Sequence, residues 1–98
     1  MEVAYKNNAI KKVCEDMSFA KKRHGVLMAE KISQRIDEIR ASESVEEMCK
    51  FKIGGCHFLH QDRKGQYALN LVQPYRLIFE QKDVSIQIVT IIEIVDYH

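Results

Sequence analysis

The hydrophobic pattern of this chain changes at Gly54-Gly55, and that change limits the folds open to it. Before the glycine pair, apolar residues recur at steps of three and four, as on one face of a helix. After it, short apolar runs with strand-forming residues are bounded by turn residues, the pattern of strands. Helices followed by strands predict an α+β fold.

Two amphipathic helices are predicted before the glycine pair. The first begins after Asn7 or Asn8, either of which can cap it, and the second follows Gly25. The apolar stripe of the first helix is Ile10, Val13, Cys14 and Met17. The stripe of the second is Met28, Ile32, Ile36 and Ile39, opposed by Lys31, Gln34, Arg35, Asp37 and Glu38. Ser44 followed by Glu47 matches a capping box and predicts a short helical turn over residues 45–50.

Five strands are predicted. A short one over residues 2–6 joins the sheet edge, and four more follow the glycine pair, over residues 56–60, 66–72, 75–80 and 84–95. Short polar or proline-containing connections between the later strands imply an antiparallel meander. The expected architecture is two N-terminal helices packed on one face of a twisted, mainly antiparallel sheet, whose other face stays partly open to a ligand.

Charge is unevenly distributed along the chain. The 98 residues, 46% of them hydrophobic, suit one domain over residues 1–98, and the net charge of +1 gives no general signal for nucleic acid. Residues 50–79, however, carry five cations against Asp62 alone: Lys50, Lys52, Arg63, Lys64 and Arg76. This local excess can attract a polyanion.

The three cysteines show no zinc-binding spacing. Cys14, Cys49 and Cys56 are an odd number and form no C-x-x-C pair, so we expect reduced packing cysteines of a cytoplasmic protein, with neither metal nor cofactor. No apolar run approaches the roughly 20 residues that cross a bilayer, and the N-terminus has no apolar signal core. Secretion and membrane insertion are therefore not expected.

The end of the chain carries three groups able to transfer protons or bind phosphate. In an extended strand Asp96 and His98 share one face about 7 Å apart, with Tyr97 on the opposite face. Arg76 lies inside an apolar strand, where a charge needs a partner or a purpose, and an ion pair with Asp96 or Glu93 is the structural alternative.

These residue types suffice for phosphodiester cleavage without a metal. A base removes the ribose 2'-OH proton, an acid protonates the leaving 5'-oxygen, and cations offset the charge on the phosphorane. His57 is a candidate for proton transfer, although a strand histidine is more often a surface or packing residue. The Arg63-Lys64 pair is a candidate phosphate contact, although such a pair is more often a solvated turn.

Across nearly its whole length the sequence resembles the HigB branch of the RelE-type toxins, the plasmid-maintenance killer proteins. The resemblance rests on His57, the run 62–67 (DRKGQY), Tyr75-Arg76 and the terminal run 95–98 (VDYH). It implies the RelE-like toxin fold and the toxin of a type II toxin–antitoxin pair. Such a toxin cleaves mRNA in the ribosomal A site without a metal, leaving a 2',3'-cyclic phosphate and a 5'-hydroxyl, and so inhibits translation. The implied partners are mRNA, ribosomal RNA and a cognate helix-turn-helix antitoxin, with operator DNA bound only through the antitoxin complex.

The resemblance also implies the site residues. The implied catalytic group is His57, Arg76, Asp96, Tyr97 and His98, and the implied basic turn is Arg63 and Lys64. His60 and Tyr67 are further candidates for RNA binding beside that turn. Either His57 or His98 acts as general base and the other as acid, with Asp96 orienting an imidazole. Tyr97 stacks on a base or binds phosphate, and Arg76 stabilises the transition state.

Two departures and two alternatives accompany the resemblance. Residues 59–61 (LHQ) stand where relatives commonly have Leu-Lys-Gly, and Gln73-Pro74 replaces a more usual polar turn. One alternative function is a ParE-like toxin that inhibits gyrase, against which the basic turn and terminal histidine argue. The other is a catalytically silent RNA-binding or autoregulatory module.

Overall fold

The computed structural model describes residues 1–96, which form four α-helices and five strands around two short 3-10 turns. The helices are α1 (Asn8–Glu15), α2 (Met17–His24), α3 (Val26–Ala41) and α4 (Val45–Lys50). The strands are β1 (Glu2–Tyr5), β2 (His57–Phe58), β3 (Gln66–Asn70), β4 (Tyr75–Glu80) and β5 (Ile88–Asp96). None of the helices in these 96 residues is long and apolar enough to cross a membrane.

The five strands form one sheet in the order β1-β5-β4-β3-β2. Strands β2 to β5 pair with their chain neighbours in antiparallel fashion, and β1 pairs in parallel with β5 at the far edge. Both the predicted meander and the predicted edge strand are therefore confirmed. The α+β fold class is confirmed with them.

Four of the predicted strands differ from the observed ones in length, and the first of them, predicted over residues 2–6, ends at Tyr5. The strand predicted over residues 56–60 is only His57–Phe58, because the chain turns into a 3-10 segment at Gln61–Arg63. Strand β3 stops at Asn70, before the turn in which Tyr75 N–H donates to the Val72 carbonyl at 2.9 Å. Strand β5 begins at Ile88 instead of residue 84, because the Asp83 side chain accepts from Ser85 and holds a turn there.

The predicted first helix is wrong in one respect, because it is two helices. Asp16 ends α1 by donating its N–H to Lys12 and begins α2 by accepting from the Phe19 N–H at 3.0 Å. Met17 therefore leaves the predicted apolar stripe and is 38% exposed. The second predicted helix is confirmed as α3, and the capping-box turn as α4, where Ser44 Oγ accepts from the Glu47 N–H.

The two faces of the sheet have different surroundings. One face packs against the helices in the main core, to which the sheet contributes Leu69, Leu77, Phe79, Val89 and Ile91 and helix α3 contributes Ile32, Ile36 and Ile39. We call the other the open face; it carries a small cluster of Ala68 and Ile78 with Ile92 and Val95. Leu59 folds over this cluster and is 3% exposed, so the loop after β2 covers part of the open face.

Candidate functional site

His57 lies on the open face at the β2 edge of the sheet. It pairs with Ala68, which pairs with Ile78, which pairs with Glu93, so these four residues form one row across the open face. The exposed imidazole has its Nδ1 2.9 Å from the Gly55 carbonyl oxygen. A carbonyl only accepts hydrogen bonds, so Nδ1 is a protonated nitrogen, and in the neutral ring the lone pair is then on Nε2. In this tautomer His57 can take a proton at Nε2.

The backbone at Gly55 sets the position of that carbonyl. Gly55 has φ of +69°, and a Cβ there would overlap the side-chain amide of Asn70. Glycine is therefore needed both for the left-handed backbone and for the close approach to β3. Asn70 in turn pairs across the sheet with Arg76, so it connects the turn at Gly55, which holds His57, to strand β4, which carries Arg76.

Arg35 supports the same turn from helix α3. Its Nε donates to the Asn70 carbonyl at 2.6 Å, and its Nη1 lies 2.8 Å from Glu38 Oε1. The side chain is only 11% exposed and packs where a Cβ on Gly54 would stand. The prediction that Arg35 belongs to the solvent-facing side of its helix is wrong, because the guanidinium reaches the carbonyl at the end of β3. The only trace of this contact in the sequence is Gly54, which leaves room for it.

Arg76 occupies the next row of the open face, between Asn70 and Val95. Its Nε and Nη1 are buried, and neither atom has a hydrogen-bond partner among residues 1–96. Glu93, one of the two partners considered for it, bonds Arg63 instead. A buried guanidinium N–H without an acceptor is costly, and an anion offers the acceptors that this one lacks.

Arg63 reaches the open face from the 3-10 turn at Gln61–Arg63. Its Nη2 lies 2.6 Å from Glu93 Oε1, in the same row as His57, and its Nη1 donates to Gln66 Oε1 at 3.0 Å. Both side chains of the Arg63–Glu93 ion pair are about one-third exposed, at 30% and 37%. The ion pair is therefore accessible to a competing anion.

The other predicted RNA-binding residues have separate surroundings. His60 is exposed and packs edge-on against Phe58, with ring centroids 5.5 Å apart, and Lys64 is exposed at the end of the 3-10 turn. Tyr67 lies on the helix-facing side of the sheet, stacked on Phe79 at 5.3 Å. Burial raises the pKa of the Tyr67 phenol. The structure thus brings His60 and Lys64 to the loop after β2 but Tyr67 to the opposite face from His57.

The predicted C-terminal group is described only as far as Asp96. Strand β5 continues to Asp96, which pairs with Tyr75, while Val95 pairs with Arg76 on the open face. Because side chains alternate along a strand, Asp96 is directed to the side of the sheet opposite Arg76. Tyr97 and His98 lie outside the described residues. The structure therefore brings three of the predicted residues to one face: His57, Arg63 and Arg76.

The part of the chain that the structure describes contains no group of three or more His, Cys, Asp or Glu side chains placed to hold a metal ion.

Comparison with known proteins identifies the fold. No model of a known protein family matches the sequence, and no curated protein matches it. Among solved structures, a YoeB/ParE toxin from Agrobacterium tumefaciens matches with 16% identity and a TM-score of 0.67, covering 100% of both chains. A YoeB-YefM complex from Staphylococcus aureus matches with 17% identity and a TM-score of 0.65, covering 100% of this chain and 97% of the other. Neither neighbour distinguishes the HigB branch, but both give this chain the α+β fold found in YoeB/ParE toxins.

Proposed function

We propose that this chain is the toxin of a type II toxin–antitoxin pair and that it cleaves mRNA on the ribosome. The observation that carries the proposal is Arg76, whose buried Nε and Nη1 have no acceptor within residues 1–96, on the same sheet face as His57 and Arg63. A guanidinium in this state suits a phosphate, and an imidazole with a free lone pair suits proton transfer. The fold shared with YoeB/ParE toxins and the HigB-like sequence motifs support the same function.

The tautomer of His57 favours it as the general base. Its Nε2 takes the proton of the ribose 2'-OH, and the 2'-oxygen attacks the adjacent phosphorus. Arg76 donates its free N–H groups to the phosphorane as negative charge grows there. His98 protonates the leaving 5'-oxygen, so the products are a 2',3'-cyclic phosphate and a 5'-hydroxyl, and no step uses a metal ion.

The basic turn holds the RNA backbone in this scheme. A phosphate displaces Glu93 from Arg63, while Lys64 adds a mobile charge and His60 a titratable one. Tyr67 contributes through the packing of Phe58 and the loop after β2, because its ring lies on the other side of the sheet. Asp96 and Tyr97 remain predicted members of the catalytic group.

The proposal includes partners and location. The Staphylococcus aureus neighbour was solved as a YoeB-YefM complex, and we propose that this chain, a single toxin domain over residues 1–98, likewise pairs with a cognate antitoxin in the cytoplasm. Operator DNA is bound only through that complex. The nucleic-acid partners of the toxin itself are mRNA and ribosomal RNA.

The test is cleavage of mRNA on purified, programmed ribosomes. We expect His57→Ala and His98→Ala each to slow cleavage by about 10²–10⁴-fold, the range of general acid–base catalysis. His24→Ala is the histidine control, because His24 ends helix α2 and is outside the proposed catalytic and RNA-binding groups. If His57→Ala and His98→Ala both cleave at the unmodified rate, the assignment of the proton-transfer groups is wrong.

Two further outcomes would overturn the proposed function. DNA damage with intact mRNA after induction in cells would indicate a ParE-like gyrase inhibitor. Salt-sensitive RNA binding without a cyclic-phosphate product would indicate a silent RNA-binding module.

A further inference from the structure

Two of the three cysteines face each other in the core beside the proposed site. Cys49 lies in the last turn of α4 and Cys56 directly before β2, and their Sγ atoms are 3.2 Å apart. A disulfide needs an S–S distance of about 2.05 Å, so the sulfurs would move together by about 1 Å. Both are free thiols. The reaction proposed for the open face uses neither of them.

The two thiols differ in access to solvent. Cys56 is buried at 2% exposure, whereas Cys49 is half-buried and lines a groove of about 450 Å³ together with Phe58 and Tyr67. Burial, followed by the hydrogen bond and charge of Cys49, raises the pKa of the Cys56 thiol. A small oxidant therefore reacts first with Cys49, and the buried Cys56 is the resolving thiol.

We propose that Cys49 and Cys56 form a reversible disulfide site, with small hydroperoxides as the class of reactant. The Cys49 thiolate attacks one peroxide oxygen and the O–O bond breaks, giving a sulfenic acid and water or an alcohol. The Cys56 sulfur then attacks the Cys49 sulfur, its proton and the sulfenic hydroxyl leave as water, and the S–S bond forms. Two thiols are oxidised and one peroxide is reduced. A dithiol reductant reverses the bridge by thiol–disulfide exchange.

The bridge has a defined local consequence. Cys56 is followed directly by His57, and the carbonyl of the preceding Gly55 holds the His57 imidazole. Joining Cys56 to α4 pulls this three-residue segment toward the helix layer. It also closes a loop between residues seven apart. Disulfide formation itself does not depend on the proposed ribonuclease function, so the two can fail separately.

The experiment treats the purified full chain with hydrogen peroxide under native conditions. We expect the free thiols to fall from three to one, the intact mass to fall by two hydrogens, and a non-reducing digest to link the Cys49 and Cys56 peptides. Dithiothreitol should restore three thiols. Cys14→Ser is the matched control and should still form the bridge, because Cys14 lies in α1 within the core, where burial raises its pKa to about 12.

Single variants and a stability measurement separate the possible outcomes. The Cys49→Ser variant should lose its free thiols more slowly than the unmodified chain. In the Cys56→Ser variant, oxidation of Cys49 should stop at the sulfenic acid or proceed to its overoxidised forms, without a disulfide. The oxidised chain should show a shifted His57 imidazole resonance with His24 unchanged. Its unfolding equilibrium constant should fall by a factor on the order of 50, as the chain-entropy effect of a short closed loop predicts. Oxidation of Cys49 without a bridge, or equal loss of thiols in Cys49→Ser, would overturn the proposal.

Discussion

Arg76→Met should raise the stability of the fold and lower the rate of mRNA cleavage. The substitution keeps an unbranched apolar stem but removes the two buried N–H groups, Nε and Nη1, that have no acceptor in the described part of the chain. Leaving a buried polar group unsatisfied costs about 1–3 kcal/mol. We therefore expect the free energy of unfolding to rise by about 1–3 kcal/mol.

The same change should slow cleavage. Removing a donor that stabilises a transition-state oxyanion costs about 10²–10³-fold in rate, equal to about 2.7–4 kcal/mol. For a chain of this size each kcal/mol of stability shifts the melting temperature by about 4–8 °C, so the expected rise is at least about 4 °C. Thermal unfolding and cleavage on programmed ribosomes measure the two effects on the same preparation.

Arg40→Met is the matched control. Arg40 in α3 forms an ion pair with Glu15 in α1 at 2.8 Å, with side chains 47% and 38% exposed, and both helices pack in the main core on the other side of the sheet from the open face. An exposed pair of this kind contributes about 0–1 kcal/mol, so this variant should melt at or slightly below the unmodified temperature and cleave normally. If Arg76→Met instead lowers the melting temperature, the guanidinium is satisfied in the free protein and the reasoning fails. An unchanged cleavage rate would equally remove Arg76 from the site.

Three further predictions concern contacts around the site and the N-terminal strand. Glu93→Gln weakens the partly exposed ion pair with Arg63, so the free energy of unfolding measured by urea titration should fall by about 0.2–1 kcal/mol. Because the substitution frees Arg63, RNA should bind more tightly, and equal or weaker RNA binding would contradict this prediction. Gly55→Ala should destabilise by about 1–3 kcal/mol, because its φ is +69° and a β3 side chain occupies the Cβ position. Gly65→Ala, with φ of +89° and no atom within 4 Å of its Cβ, should cost less, and an equal loss would refute the packing argument. Burial, helped by a neighbouring carboxylate, raises the pKa of Tyr5 from 10.0 to about 12. The neutral phenol therefore contributes fully to stability below pH 10, and this contribution is lost as the pH rises toward 12. The free energy of unfolding of Tyr5→Phe should consequently fall less between pH 10 and 12 than that of the unmodified chain. Unfolding measured as a function of pH tests this, and ultraviolet absorbance reports ionisation of the phenol.

The sheet was largely predictable because its signal is local. Alternation and turn residues locate β3 to β5, and β4 matches its predicted bounds of Tyr75–Glu80. The division of the first helix at Asp16 was not predictable in the same way. The apolar stripe continues through Met17, so its periodicity favours one helix, whereas the observed break depends on Asp16 serving both helix ends.

For the candidate site, the sequence suggests residue types but cannot give their arrangement. Periodicity cannot give the register that puts His57 opposite Ala68, and so it cannot show which predicted residues share a face. The Arg63–Glu93 pair joins residues 30 apart in the chain, and the Arg35 contact with β3 joins residues 35 apart. Contacts of this kind depend on the tertiary fold, so no local pattern marks them.

The register of β2 connects the two proposals. Because side chains alternate, placing His57 on the open face directs Cys56 into the helix-facing core, where it meets Cys49. A slip of one residue would exchange the two faces, exposing the thiol and burying the imidazole.

A strand of two residues cannot hold its register by its own ladder. The flanking contacts hold it instead: Gly55 against the β3 asparagine on one side, and the Leu59 N–H bonded to the Gln66 carbonyl at 2.9 Å on the other. Both the proposed catalysis and the proposed oxidation therefore depend on the same pair of contacts.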